Sequence, residues 1–280
     1  MVSGVSGLVG SHVSLLAKQK GWPVVGVSRV LNHSAGWLAA RTKDEYSQIM
    51  TATKPDVLVY CSANTNVDAC EKTPEACLFD NALFPGMVCH EALKQGIRFV
   101  FLSTSYVFRG EKPTFEETDK PSPLNWYGEA KWLAEKLVLF HGKGNSMVIR
   151  TMGVYGLDPE GKDFLSQVIQ AVSKKQRIRV ANDQFGNFTF AGDLATNILK
   201  LIDNSADGIW HVAGPQPTLC RCEIAKEICK MGGWDQNLIE EVPTSALNQA
   251  AARPRFGGLD ISKILSRGMK MRSLAQVWPT

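Results

Sequence analysis

The first half of the chain alternates short runs of apolar, often β-branched residues with longer segments of helical periodicity. Strands are predicted at residues 24–27, 56–61, 98–102 and 147–150, and helices at 11–20, 44–53, 75–95 and 127–141. Strands that are apolar throughout and separated by helices are typical of a parallel sheet that is covered on both faces. The alternation therefore predicts an α/β fold built on a doubly wound parallel sheet.

The second half follows a different pattern. Helices are predicted at 163–175, 193–203 and 221–232, with one strand at 208–214 and loops rich in Pro and Gly. We therefore predict a Rossmann-type domain at residues 1–155 and a smaller interleaved C-terminal α/β lobe at 156–280. Segments near 185–214 are expected to return to the first domain, and the lobe is expected mainly to bind a substrate.

Three glycines, Gly4, Gly7 and Gly10, stand at G-x-x-G-x-x-G spacing directly before a run that is compatible with a helix. In a strand–turn–helix unit, the first glycine permits a tight turn and the second lets a phosphate approach the backbone. The third lets the helix pack closely on the strand, and the pyrophosphate binds at the helix N-terminus. The spacing predicts a dinucleotide-binding turn.

Only Met1 and Val2 precede Ser3 at the start of this turn. The strand that feeds such a turn lies at the centre of the sheet and usually has about five or six residues. Both neighbouring strands need its backbone groups as hydrogen-bond partners. We therefore expect an apparently truncated first strand, with either a native start further upstream or a weakened cofactor site.

The second predicted strand ends in Ser28 and Arg29, about 20 residues after the glycines, where an NAD-binding unit carries an acidic residue for the ribose 2′-hydroxyl. A serine and an arginine suit a 2′-phosphate instead. This pair predicts NADP(H) as the cofactor.

The third predicted strand runs into Ser103 and Thr104, and Tyr127 and Lys131 follow at Tyr-x-x-x-Lys spacing at the start of a helix. Residues i and i+4 share a helix face, so we expect the Lys131 ammonium to lower the pKa of the Tyr127 phenol from its usual value of about 10. Tyr127 is then predicted to protonate a carbonyl oxygen as a hydride arrives. Thr104 (or Ser103) would hydrogen-bond the same oxygen.

Composition excludes several other classes. The net charge is only +4, without a block of Lys or Arg, which argues against nucleic-acid binding, and no apolar run reaches the about 18 residues that span a bilayer. The seven cysteines lie mostly in apolar stretches, which is typical of reduced thiols in a cytoplasmic protein. Cys220 and Cys222 have no second pair at zinc-binding spacing, so no metal site is predicted.

These motifs resemble those of the extended short-chain dehydrogenase/reductases, and most closely the dTDP-4-dehydrorhamnose reductases, over nearly the whole length. Residues 103–108 are similar to the family's S-T-D-Y-V-F, 117–128 to E-T-D-x-x-x-P-L-N-x-Y-G, and 150–156 to R-T-x-x-V-Y-G. Residues 183–195 are similar to D-Q-x-G-x-P-T with D-L-A, and 253–260 to R-P-x-x-x-x-L-D. The segments also occur in the family's order.

The resemblance implies an NADPH-dependent reductase of a 4-keto-6-deoxy nucleotide sugar, with the hydride going to C4. It implies Thr104, Tyr127 and Lys131 as catalytic residues. Tyr106 and Arg253 would face the nucleotide-sugar substrate, although Arg253 is equally compatible with a surface ion pair. The residues implied to line the cofactor are Gly4, Gly7, Leu8, Gly10, Ser28, Arg29, Ser62, Ala63 and Thr65, together with Tyr127 and Lys131.

Ser105 replaces the aspartate of the family's S-T-D, and Arg109 replaces the aspartate of its Y-V-F-D-G. The loss of the first acid argues against a nucleotide-sugar dehydratase, which usually carries one there. A second interpretation stays open, because the regulatory beta subunit of methionine adenosyltransferase resembles the same family and residues 273–279 are similar to its tail. That interpretation implies a non-catalytic NADP-binding protein with a catalytic synthetase as partner, whereas the enzyme interpretation leaves a homodimer open.

Overall fold

The computed structural model describes residues 1–156 and 161–278. The predicted lobe at 156–280 therefore includes residues 157–160 and 279–280, which lie outside the described residues. In the described part the strands are β1 Val2–Ser3, β2 Gly26–Ser28, β3 Trp37–Ala39, β4 Val57–Tyr60, β5 Arg98–Thr104, β6 Thr114–Phe115, β7 Ser146–Thr151, β8 Val154–Tyr155, β9 Ile178–Ala181, β10 Phe185–Gly186, β11 Thr189–Phe190, β12 Gly208–His211, β13 Leu219–Cys220, β14 Ile239–Val242 and β15 Gly258–Leu259. The helices are α1 Leu8–Gln19, α2 Lys43–Thr53, α3 Val67–Lys72, α4 Pro74–Leu78, α5 Phe84–Lys94, α6 Trp126–Gly142, α7 Phe164–Ser173, α8 Ala191–Asp203, α9 Arg221–Gly232, α10 Ser262–Leu265 and α11 Leu274–Val277.

Seven strands form one parallel sheet in the order β12-β7-β5-β4-β1-β2-β3. The strand order reverses at β1, which pairs with β2 on one side and with β4 on the other. In open parallel sheets, ligands bind outside the carboxyl ends of the strands at such a reversal. The sheet confirms the predicted doubly wound, Rossmann-type α/β fold and directs attention to the ends of β1 and β4.

The central strand β1 has only two residues, yet it bonds to both neighbours. The backbone N–H of Val2 donates to Val25 O at 2.9 Å, and that of Val59 donates to Met1 O at 3.0 Å. The terminal amine of Met1 donates to Val57 O at 2.8 Å. The two residues of β1 and the residues next to them therefore form backbone hydrogen bonds with the strands on both sides.

Helices cover both faces of the sheet. Val13 of α1 and Ile198 of α8 belong to the core on one face, while Met50 of α2, Val88 of α5 and Ala134 of α6 belong to the core on the other. The predicted helix at 75–95 is composite, because a π-helical segment, Phe79–Leu83, separates α4 from α5. The short edge strand β3 was not predicted from the sequence.

The later elements divide between the sheet and an outer lobe. Helix α8 packs against α1, and β12 extends the sheet by pairing with β7, so residues 191–211 contribute to the large sheet. The parallel pair β9–β14 and helices α7 and α9 pack together outside it. The exact division into domains at residue 155 stays a prediction.

Candidate active site

The glycine turn links β1 to α1 at the reversal point. Gly4 has φ +71°, and a Cβ atom there would lie 2.8 Å from the backbone N of Ser62, which follows β4. A Cβ atom on Gly10 would lie 2.2 Å from Gly4 O. Both positions therefore require glycine, the first for its conformation and its closeness to β4, the second for the close packing of α1 on the turn.

Helix α1 begins without a side-chain cap. Gly7 occupies the N-cap position, makes no capping hydrogen bond, and is followed by a first turn without acidic residues. The first N–H groups of a helix have no partner within the helix, and its N-terminus attracts negative charge. The start of α1, including Leu8, is therefore suited to a pyrophosphate.

A hydroxyl cluster joins the ends of β1 and β4 beneath this turn. Ser3 Oγ lies 2.5 Å from the Tyr46 hydroxyl oxygen and 2.7 Å from Ser62 Oγ. Ser62 and Ala63 are half-buried and Thr65 is exposed, so these three predicted cofactor residues lie outside the buried core.

The residues predicted to select a 2′-phosphate differ in their availability. Ser28 is buried, and its Oγ donates to Val30 O at 2.8 Å and accepts from Val30 N at 3.0 Å. Arg29 is exposed, and Arg41 Nε donates to its carbonyl oxygen at 2.8 Å. The structure thus brings Arg41 beside Arg29, a neighbour that the sequence analysis missed because the intervening β3 was not recognised.

The predicted catalytic residues meet where β5 ends and α6 begins. Asn125 caps α6 by accepting from the Gly128 N–H at 2.8 Å, and a Cβ atom on Gly128 would lie 2.2 Å from Tyr106 O. This close approach brings the start of α6, including Tyr127, beside the end of β5 and Thr104. The Thr104 and Tyr127 side chains lie close enough for Thr104 to influence the pKa of the phenol.

Burial raises the pKa of Tyr127, and the neighbouring Thr104 hydroxyl acts in the opposite direction. Lys131 Nζ donates to Leu102 O at 2.5 Å and lies 3.9 Å from the centre of the Phe101 ring. The net pKa of Tyr127 is therefore raised rather than lowered in this structure, and the Lys131 ammonium is directed to the β5 carbonyl. The pKa of Lys131 itself is lowered to about 7, chiefly by burial and against the influence of Glu135.

The two hydroxyl candidates on β5 are separated by the pleat of the strand. Ser103 is buried and its Oγ donates to Glu135 Oε1 at 2.5 Å, so it is occupied inside the protein. Thr104 accepts from the Tyr106 N–H at 3.2 Å and faces Tyr127. Successive residues of a strand point to opposite faces, which leaves Thr104 as the hydroxyl at the site.

The two residues predicted to face the substrate have different neighbours. The Tyr106 ring meets the Tyr127 ring edge to face, with centroids 5.9 Å apart. Arg253 is only 9% exposed, its Nη2 lies 3.0 Å from Asp68 Oδ1, and its Nη1 donates to Ala251 O at 2.8 Å. The structure thus shows Arg253 in an ion pair.

Glu135 and Arg150 are further polar residues that the sequence analysis did not single out. Both side chains are 2% exposed and their charged groups are 2.7 Å apart. The sequence did contain a signal for Glu135, because Glu135 follows Lys131 by four residues on the same helix, as Lys131 follows Tyr127.

In the described part of the chain, no helix is long and apolar enough to cross a membrane.

The model of the family described as "RmlD substrate binding domain" matches residues 1–276. The chain belongs to this family. It is 30% identical over 271 residues to the probable low-salt glycan biosynthesis reductase Agl14 of Haloferax volcanii. This match covers 94% of the chain and 90% of that relative. It is 28% identical over 291 residues to the methionine adenosyltransferase 2 subunit beta of Pongo abelii, covering 98% and 83%.

Among solved structures, the dTDP-4-dehydrorhamnose reductase of Bacillus anthracis, in complex with NADP, superimposes on this chain with a TM-score of 0.85. The two are 26% identical, and the match covers 96% of this chain and 92% of that one. The resemblance to the short-chain dehydrogenase/reductases is confirmed. At the level of the family, so are the predictions of an oxidoreductase and of NADP(H) as cofactor.

Proposed function

We propose that this protein is an NADPH-dependent reductase of a 4-keto-6-deoxy nucleotide sugar. The observation that carries the proposal is the meeting of Thr104 and Tyr127 beside Lys131, next to a glycine turn that leaves the start of α1 uncapped. The similarity to Agl14 and to a dTDP-4-dehydrorhamnose reductase supports the same chemistry.

The residues of the turn fit an NADP(H) molecule. Gly4 and Gly10 keep the space at the end of β1 free of side chains, and the uncapped start of α1 offers N–H donors to the pyrophosphate. Arg29 and Arg41, which are both exposed and joined through a hydrogen bond, would hold the 2′-phosphate. When bound, the reduced nicotinamide supplies a hydride.

Tyr127 donates its phenolic proton to the C4 carbonyl oxygen of the sugar as the hydride reaches C4, which yields the alcohol and leaves a tyrosinate. Thr104 hydrogen-bonds the same oxygen and fixes its position. Lys131, as an ammonium, stabilises the negative charge that develops on Tyr127. Because the pKa of Tyr127 is raised, this support is needed at the moment of proton transfer.

Tyr106 is proposed to contact the sugar, since its ring already meets that of Tyr127. Arg253 is proposed to bind the diphosphate, because a guanidinium donates two parallel hydrogen bonds to such a group. To do so it must share or leave its partner Asp68.

The test is NADPH oxidation, followed by absorbance, with freshly generated dTDP-4-keto-6-deoxy sugar and with the Tyr127→Phe variant. Turnover by the wild type and a loss of about 100-fold or more in the variant are expected, because the proton donor is removed. Tyr155→Phe, the same change at a buried tyrosine of β8, serves as the matched control and should leave the rate within about twofold. A wild type that is folded and binds NADPH without turnover contradicts the proposal.

The similarity to methionine adenosyltransferase 2 subunit beta favours a second candidate, a non-catalytic NADP-binding subunit. The buried Ser105, which stands in place of an acid, matters less to such a protein than to an enzyme. Pull-down with a methionine adenosyltransferase catalytic subunit distinguishes the two, since only the second candidate predicts a complex of defined stoichiometry.

A further inference from the structure

A cluster of three buried polar residues lies directly behind the catalytic set. Ser103 on β5 and Arg150 on β7 are opposite each other in the sheet, and both bind Glu135 of α6. Arg150 donates from Nε to Glu135 Oε1 at 2.9 Å and from Nη2 to Oε2 at 2.7 Å. We call Ser103, Glu135 and Arg150 the Glu135 cluster.

The position of the cluster on α6 connects it with Lys131. Tyr127, Lys131 and Glu135 follow each other at intervals of four residues, so they form one row along the helix. Lys131 and Glu135 each bind β5 at adjacent residues, Lys131 to Leu102 O and Glu135 to the Ser103 hydroxyl. Lys131 is 2% exposed, which leaves its charge largely without solvent to stabilise it.

We propose that Glu135 is a positioning residue of the active site, whose carboxylate is the counter-charge of Lys131. This inference rests on the proposed function, because it assigns Glu135 a role in the same proton transfer. Arg150 and Ser103 fix the carboxylate at a defined place, so that Glu135 acts on Lys131 through space rather than by a direct salt bridge.

Two thiols and the Tyr127 phenol are the other groups around Lys131. Cys77 of α4 and Cys61, which follows β4, both act on Lys131, and burial raises the pKa of Cys61 to about 12. Burial also raises the pKa of Tyr127, so the phenol is neutral at neutral pH. Among the described residues that act on Lys131, Glu135 is therefore the carboxylate that favours the ammonium.

The residues that lie next to Arg150, on the other side of the cluster, add no charge to it. Arg150 Nη1 lies 3.5 Å from His211 Nε2, and its guanidinium lies 5.0 Å from the centre of the Phe108 ring. Burial and Arg150 lower the pKa of His211 to about 3, so this histidine is neutral. The cluster thus holds one positive and one negative charge, and the negative one is on the helix that carries Lys131.

The test compares wild type with Glu135→Gln and with the double variant Glu135→Gln/Arg150→Met. The single change leaves Arg150 buried without its carboxylate and threatens folding, whereas the double change removes both charges together. Lysine is labelled with carbon-13 at its ε position, and the Lys131 resonance is assigned by its loss in Lys131→Met. We expect its titration midpoint to lie about one pH unit or more lower in the variants.

The matched control is Glu129→Gln, the same chemical change six residues earlier on α6, and its midpoint should equal that of the wild type. Glu135→Asp keeps the carboxylate and should restore the midpoint in large part. An unchanged midpoint in a folded variant without Glu135 overturns the inference, since Glu135 then has only a structural role.

Kinetics provide the second readout. If Lys131 must be an ammonium, turnover falls as the pH rises through its pKa, and this alkaline limb should move to lower pH in the variants. A structural role would lower the rate without moving the limb. The titration needs no substrate, so the two proposals can fail separately. A midpoint that moves in a protein without turnover contradicts the proposed reaction and supports Glu135 as the counter-charge. Turnover with an unmoved midpoint supports the proposed reaction and contradicts the role of Glu135.

Discussion

A Cβ atom on Gly10 would lie 2.2 Å from the carbonyl oxygen of Gly4, a distance that no real contact of this kind reaches. In Gly10→Ala the start of α1 must therefore move away from the turn. We expect a loss of about 1–3 kcal/mol in the free energy of unfolding. NADPH binding should also weaken by about tenfold or more, because the donors of α1 are displaced. Urea denaturation and fluorescence titration measure the two effects.

Gly7→Ala is the control for this prediction. Gly7 has φ −85°, and its Cβ atom would be 3.4 Å from Gly4 O, an ordinary contact. The free energy of unfolding should stay within about 0.5 kcal/mol of the wild type. Equal stability of Gly10→Ala and Gly7→Ala would show that helix packing does not depend on Gly10.

Lys131 should make stability depend on pH. Its pKa is about 7 in the folded protein and about 10.4 in an unfolded chain. Between these values the unfolded chain binds one more proton than the folded one, so stability rises with pH. Relative to Lys131→Met, the wild type should gain about 1.4 kcal/mol per pH unit across this window. Urea titrations at several pH values test this, and parallel curves for the two proteins would contradict it.

Arg41 should contribute to the choice between NADPH and NADH. It is exposed and donates to the carbonyl oxygen of Arg29, so both guanidinium groups are near the end of β2. In Arg41→Ala we expect NADPH affinity to fall by about tenfold while NADH affinity stays unchanged, because only NADPH carries the 2′-phosphate. Lys43→Ala, a change to an exposed cation two residues later, should alter neither. Equal weakening of both cofactors by Arg41→Ala would refute the assignment.

Ser103 and Ser105 are both buried on the same segment but should respond differently to alanine. Ser103 Oγ donates to Glu135, whereas Ser105 Oγ has no hydrogen-bond partner among the described residues. Ser103→Ala leaves a buried carboxylate with one partner fewer and should cost about 1–3 kcal/mol of stability. Ser105→Ala should be neutral or slightly stabilising. Denaturant midpoints of the two variants decide the matter, and a marked loss in Ser105→Ala would indicate a partner for its hydroxyl.

The ion pair between Arg253 and Asp68 separates two roles for the arginine. If Arg253 binds the substrate diphosphate, Arg253→Lys should raise KM by about tenfold with little change in kcat, since one of two parallel hydrogen bonds is lost. Asp68→Asn should lower KM, because the guanidinium is then released. A loss of stability in both variants with KM unchanged would leave Arg253 a structural residue that ties the loop at 250–253 to α3.

Most of the large sheet was predictable because its strands are apolar along their whole length and its helices have regular periodicity. Helix α9 begins and ends at the predicted residues, and α1, α6 and α8 were each predicted within about three residues. Strand β3 was missed since Trp37–Ala39 is short and lies at the sheet edge, partly exposed. The break in the helix at 75–95 was also missed, because a π-helical segment leaves the apolar pattern almost intact.

The sequence by itself determined which residue types meet at the site, because glycine spacing and the Tyr-x-x-x-Lys interval are local relations along a turn and a helix. The tertiary structure alone decided that Thr104 faces Tyr127 while Ser103 faces Glu135, since this depends on the pleat of β5 against α6. It also decided that Lys131 donates to Leu102 O and that burial raises the pKa of Tyr127. Charges and their burial come from segments far apart in the chain, and electrostatic effects depend on distance and solvent exposure rather than on sequence order.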